Sequence, residues 1–202
     1  MLFRKRTGTI AATAVIGAML LTACGDGTSG TSDRAATAGR ALLGNLSFLS
    51  GTAEENHAPA KTGDWANVPG TPVVSEVAKK WVQLTAVTTG SPDSNVVNGA
   101  GFTLYRFDKD GASPSKSNCD DTCTDTWPPV LIAPKGKIFV DGVKESDVGV
   151  VKRADGSLQV TLSGQPVYRY SEDMEPGDVK GYGVDGTWFS VTPDGMAGVG
   201  PN

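Results

Sequence analysis

The chain has 202 residues, 39% of them hydrophobic and 20% charged, with 18 Lys+Arg against 22 Asp+Glu. A formal net charge of −4 with no basic stripe excludes nucleic-acid binding, which needs a clustered positive face, and argues against adsorption to anionic lipid. One histidine and three cysteines leave little from which to build a metal centre or a histidine-dependent triad.

In chain order, Arg4, Lys5 and Arg6 come first, then Ile10–Ala23, 14 residues without a charge. That run is shorter than the roughly 20 residues of a membrane span but suits the apolar region of a secretory signal. It ends in Leu21-Thr22-Ala23-Cys24, followed by Gly25-Asp26-Gly27. This resembles the lipobox of bacterial lipoproteins. The resemblance implies a signal peptide over 1–23 and a lipid, with palmitate-type acyl chains, on Cys24 as the new N-terminus. The alternative is an ordinary secreted protein with a chance cysteine. Removing 1–23 takes away three basic residues and no acidic ones, leaving 15 Lys+Arg against 22 Asp+Glu. The lipid on Cys24 is then the expected membrane contact, at the outer face of the cytoplasmic membrane.

Residues 24–72 read as a flexible tether. Residues 25–39 are nearly all Gly, Ser, Thr, Ala and Asp and cannot bury enough apolar area to order themselves. Residues 40–49 hold the only apolar cluster of this stretch, expected as one helical turn or two. Residues 51–72 are again Gly-, Pro- and Ala-rich and contain the only histidine, His57. A tether of about 45 residues spans ~35–40 Å as a coil.

Residues 73–202 read as one domain. Trp81–Val87 alternates in polarity, and Phe102–Phe107 is a strand ended by Asp108-Lys109-Asp110-Gly111. Val148–Lys152 and Leu158–Leu162 flank Ala154-Asp155-Gly156, a hairpin signal. Leu162 and Val167–Tyr170 flank Ser163-Gly164-Gln165-Pro166, a second one, and Thr187–Val191 is a last short strand. Short strands at this spacing predict an all-β fold, a single antiparallel sandwich or small barrel.

With Cys24 lipidated, Cys119 and Cys123 remain, and outside the cytoplasm such a pair should form a disulfide. The closed loop is short, so the bridge is worth about 2 kcal/mol and shapes one loop. The alternative, a pair of zinc ligands, lacks a nearby histidine.

Gly101-Phe-Thr-Leu-Tyr-Arg-Phe-Asp-Lys-Asp110 and Gly164-Gln-Pro-Val-Tyr-Arg-Tyr-Ser-Glu-Asp173 share the pattern Gly-x-x-apolar-Tyr-Arg-aromatic-x-x-Asp. Each continues to a tryptophan, Trp127-Pro-Pro-Val130 in the first copy and Trp188-Phe-Ser-Val191 in the second. The repeat cores are 101–130 and 164–191, two pseudo-repeats of one β domain. With the lipobox, these motifs resemble the bacterial secreted-repeat lipoproteins named for Tyr-x-(Phe/Trp/Tyr)-x-x-Asp, a family of unknown function. The second copy lacks the cysteine pair.

In strand geometry Tyr105 and Phe107 share one face, and Leu104 and Arg106 the other. One reading makes the motif structural: core aromatics, with Asp110 and Asp173 turning the chain after each strand. The other is a ligand groove floored by Tyr105, Trp127, Tyr168 and Trp188, with Asp110 and Asp173 as polar contacts. The acidic loop Asp108, Asp110, Asp120, Asp121 and Asp125 is a weak candidate for Ca²⁺, since it lacks the spacing and final Glu of an EF-hand loop. Ser113-Pro114-Ser115-Lys116 matches Ser-x-x-Lys but has none of its companion motifs. No catalytic residue, cofactor or metal is expected. The function expected is an extracytoplasmic, lipid-anchored binding or cell-envelope interaction module, its partner an envelope protein or a small ligand. The alternatives are a redox or electron-transfer accessory protein and a hydrolase using two carboxylates.

Overall fold

The computed structural model describes residues 45–88 and 94–200; Cys24 and the signal-like segment lie outside them. The strands are β1 (Ser47–Ser50), β2 (Trp81–Val87), β3 (Asn95–Val97), β4 (Tyr105–Phe107), β5 (Gly111–Ala112), β6 (Ser115–Lys116), β7 (Leu131–Ile132), β8 (Lys137–Asp141), β9 (Val148–Lys152), β10 (Leu158–Leu162), β11 (Gln165–Pro166) and β12 (Trp188–Ser190). One helical turn, α1 (Cys123–Thr126), follows the first cysteine. The fold is all-β, as expected, and its sheets stay open: β1-β8-β2-β3, and β11-β10-β7 with β9 also on β10. The hairpin read from Ala154-Asp155-Gly156 is β9–β10, in the register Leu162↔Val148 to Leu158↔Lys152. The second hairpin turns at Ser163-Gly164, with Leu162 opposite Gln165.

Not all pairing is antiparallel. β8 runs parallel to both β1 and β2. Its Ile138-Phe139-Val140, between Gly136 and Gly142, is buried, which is what a short apolar run between glycines indicates. Its partners lie far away in the chain, and a parallel pair needs a long connection rather than a turn. No local turn signal marks such a pairing.

The domain also begins before residue 73, so the tether reading of 24–72 is corrected for 45–72. β1 forms an edge of the first sheet, where a helical turn was expected. After it, the backbone N–H of Ala53 donates to Gln83 Oε1 at 2.7 Å. The buried carboxylate of Asp64 accepts from the N–H of Gln83 at 2.7 Å and of Gly99 at 3.0 Å. Trp65 and Trp81 donate their indole N–H to Gly99 O and Thr62 Oγ1. Gly63 has φ +55°, and a Cβ there would lie 2.0 Å from the Trp81 ring. The glycine-rich composition that suggested disorder is what lets this segment lie flat on an aromatic ring. Side-chain hydrogen bonds to backbone anchor it where apolar residues are few. His57 is exposed, in a turn.

The two repeats are interlocked. Tyr105 and Tyr168 exchange both backbone hydrogen bonds, each 2.9 Å. On one side β4 pairs with β12 of the other copy, Phe107 opposite Trp188. On the other side Val130 N–H donates to Val167 O at 3.0 Å and Arg169 N–H to Pro128 O at 2.8 Å. The order across this ribbon is therefore copy two, copy one, copy two, copy one. Leu104 and Val167 join the aliphatic core with Leu84, Val96, Ile138 and Val160. Tyr105, Phe107, Tyr168, Tyr170, Trp127, Trp188 and Cys119 form a separate aromatic core. The face alternation read from Leu104-Tyr105-Arg106-Phe107 thus separates the two cores.

Candidate functional site

The motif tyrosines are fully buried, and each finds its partner in the other repeat. Tyr105 donates its phenol to Asp173 Oδ2 at 2.7 Å, and Tyr168 donates to Asp110 Oδ2 at 2.6 Å. Each of these bonds crosses from one repeat to the other. Each aspartate also holds its own loop, as its place after a strand suggested. Asp110 accepts from the N–H of Asn118 at 2.7 Å and Asp173 from that of Lys180 at 3.1 Å. The phenol oxygens accept in turn: that of Tyr105 lies 3.3 Å from the Gly181 N–H and that of Tyr168 lies 2.8 Å from Ser117 Oγ.

Burial, and then the adjacent Asp173 carboxylate, hold the Tyr105 phenol far above its usual range. Burial and Asp110 do the same to Tyr168. Burial also raises Asp110 and Asp173 above ordinary carboxylates, against the lowering effect of the tyrosine hydrogen bonds. The proton therefore rests on the phenol in both pairs.

The rings stack across the repeats. Phe107 and Trp188 lie 4.3 Å apart at 12°, Trp188 and Trp127 3.8 Å at 3°, and Trp127 and Tyr170 4.3 Å at 29°. The stack alternates between copies, with the two tryptophans at its centre. Tyr105 meets Trp127 edge-on at 5.5 Å, and Tyr168 meets Trp188 at 5.2 Å. Each such contact adds about 0.5–1.5 kcal/mol beyond area burial. Since Trp127 and Trp188 are buried with the tyrosines, the groove floored by these four rings is closed.

Cys119 and Cys123 form the expected disulfide, with Cα atoms 5.3 Å apart. Arg153, which sequence reasoning missed, lies buried behind it. Its guanidinium donates to Gln159 Oε1 at 2.6 Å, Cys119 O at 2.6 Å, Ser117 Oγ at 2.7 Å and Asp120 Oδ1 at 2.9 Å. It ties the disulfide loop to β10 and to the Tyr168–Asp110 pair; nothing in one dimension joins residue 153 to residue 119. The acidic loop is divided among different partners: Asp108 with Arg106, Asp110 with Tyr168, Asp120 with Arg153, while Asp121 and Asp125 are exposed. Among the described residues no group of three His, Cys, Asp or Glu could hold a metal ion. Ser113–Lys116 forms the turn and the second strand of the small β5–β6 hairpin.

Residues of the second copy, themselves buried, line a pocket. A shallow pocket is lined by Asn67, Gly70, Phe102, Arg169, Tyr170 and Asp173. Arg169 is buried, and burial lowers its pKa, offset in part by Asp64; its guanidinium reaches Thr71 O at 3.4 Å. Burial raises Asp64 in turn to about 6, against the hydrogen bonds from Gln83 and Gly99. Beside the pocket, Val68 and Met174 are exposed, with the Met174 sulfur against Gly70. The residues from 67 to 70 belong to the segment read as tether, which is why this pocket was invisible in the sequence.

A family model described as a secreted repeat of unknown function matches residues 87–131 and 149–192. No curated protein and no solved structure matches the chain.

Proposed function

Because the chain carries two copies of the secreted repeat, an extracellular module of unknown role, we propose that it is an interaction module held at the outer face of the cytoplasmic membrane by lipid on Cys24. The repeat motif builds the scaffold, and the pocket at Tyr170 and Asp173, with its apolar rim of Val68 and Met174, is where an envelope protein or small ligand docks. The observation that carries this is the division of labour inside the motif. Tyr105, Tyr168, Trp127 and Trp188 are enclosed in the core, whereas Tyr170 and Asp173, core residues too, also line a pocket bordered by exposed apolar side chains. Scattered exposed apolar residues are ordinary; here two of them flank a depression with room for about one water molecule, so the rim itself offers the contact surface. Among the described residues no helix is long and apolar enough to cross a membrane. The carboxylate pair a hydrolase would need is not assembled by Asp110 and Asp173, since each is committed to a different tyrosine.

The test has two arms. A fatty-acid probe should label the wild-type chain and not Cys24→Ala; labelling of the variant overturns the anchor. A photo-crosslinking residue at Val68 or Met174, in cells, should yield a discrete adduct that the same residue at exposed Lys152 does not. Equal adducts at all three positions, or none at Val68 and Met174, overturns the docking site.

A further inference from the structure

The aromatic core has a feature that packing alone does not require. Its four stacked rings are in van der Waals contact in one continuous column, Phe107, Trp188, Trp127 and Tyr170. Two phenols flank the column, and each hydrogen-bonds a carboxylate. Tryptophan and tyrosine are the side chains most easily oxidised by one electron. A phenol gives up an electron readily only when its proton can leave at the same time. A base must therefore stand within about 2.6–3.2 Å of the hydroxyl, and both tyrosines meet that condition at 2.7 and 2.6 Å.

We propose that this column is a one-electron relay. An outer-sphere oxidant, a metal complex in its higher valence state, takes one electron at Tyr170, the column end that lines the surface pocket. The vacancy passes along the 4.3 Å and 3.8 Å contacts to Trp127 and Trp188. An electron from Tyr105 or Tyr168 fills it. As that electron leaves, the phenolic proton moves to Asp173 or Asp110. The products are a neutral tyrosyl radical, a neutral carboxylic acid and an oxidant reduced by one electron. Return of one electron through Tyr170 reverses both transfers. The copies differ where the relay needs them to. Tyr170 ends the column at the pocket, whereas the equivalent Phe107 ends the other side with a ring too hard to oxidise. The relay depends on neither the lipid anchor nor a docked partner, so its failure leaves the proposed function standing, and the reverse.

The experiment oxidises the full chain with photogenerated ruthenium(III) tris-bipyridine and follows the radicals by transient absorption and freeze-trapped electron paramagnetic resonance. The wild type should form a tyrosyl radical at a rate indifferent to the concentration of buffer base, because the proton acceptor is internal. Tyr105→Phe/Tyr168→Phe, which leaves Tyr170 and Tyr182 as the remaining tyrosines, should lose the buffer-independent tyrosyl radical, while Tyr182→Phe, at a tyrosine outside the column, should keep it. Asp110→Asn/Asp173→Asn should slow tyrosine oxidation by on the order of a hundredfold and make it depend on buffer. Near-ultraviolet circular dichroism of the paired tryptophans reports whether each variant folds. Should the double Asn variant not fold, the buffer dependence of the wild type decides. Buffer-dependent oxidation in the wild type, a radical located on Tyr182, or a buffer-independent tyrosyl signal surviving in the double Phe variant overturns the relay.

Discussion

If the tyrosine–aspartate bonds are exchanged between repeats, energetic coupling must follow the exchange rather than the motif. Tyr105→Phe keeps the ring contacts with Trp127 and Tyr170 and removes only the hydroxyl that donates to Asp173. The carboxylate is buried, so losing its donor should cost about 1–3 kcal/mol. Tyr105→Ala, which also empties a fully buried ring site, should cost roughly 3–5 kcal/mol. In a double-mutant cycle measured by urea unfolding, Tyr105→Phe with Asp173→Asn shares one hydrogen bond and should show about 1–2 kcal/mol of coupling. Tyr105→Phe with Asp110→Asn lies within one motif but shares no hydrogen bond, and should be additive to about 0.5 kcal/mol. Tyr168 should couple to Asp110 and not to Asp173 in the same way. Coupling that follows the motif, Tyr105 with Asp110 and Tyr168 with Asp173, would refute the interlocked arrangement.

Replacing both Cys119 and Cys123 by serine should lower stability by about 2 kcal/mol, the short-loop value, and thiol titration of the unfolded wild type should find neither cysteine free. Gly63→Ala should cost about 3 kcal/mol, from a Cβ driven into Trp81 at 2.0 Å and a left-handed backbone; an unchanged melting temperature would mean that residues 51–67 are not packed. Asp64 has a folded-state pKa raised by burial from 3.8 to about 6. The folded state therefore binds more protons than the unfolded state in that window, and stability is lost as pH rises through it. The stability of the wild type relative to Asp64→Asn should fall between pH 3.8 and about 6 in urea titrations; a relative rise contradicts the burial of this carboxyl.

The all-β class, the β9–β10 hairpin, the Trp81–Val87 strand, the disulfide and the repeat were legible from the sequence because each leaves a local signature. Alternation records which face of a strand is buried, a turn tripeptide marks a hairpin, and two cysteines close together in the chain can meet without help from the fold. The face assignment of Tyr105, Phe107 and Leu104 followed from strand geometry alone. What only the tertiary structure decided was who partners whom. The parallel pairing of β8 with β1 and β2 and the packing of 45–72 onto Trp81 and Gln83 join segments that share no turn. The exchange of Tyr105 to Asp173 and Tyr168 to Asp110 could not be read from the motif, because two copies that share the Tyr and Asp positions satisfy the same pattern whether each bonds itself or its twin. The interlocked ribbon settles it: it puts each phenol beside the other copy's loop, and a buried phenol must donate to the acceptor within its reach.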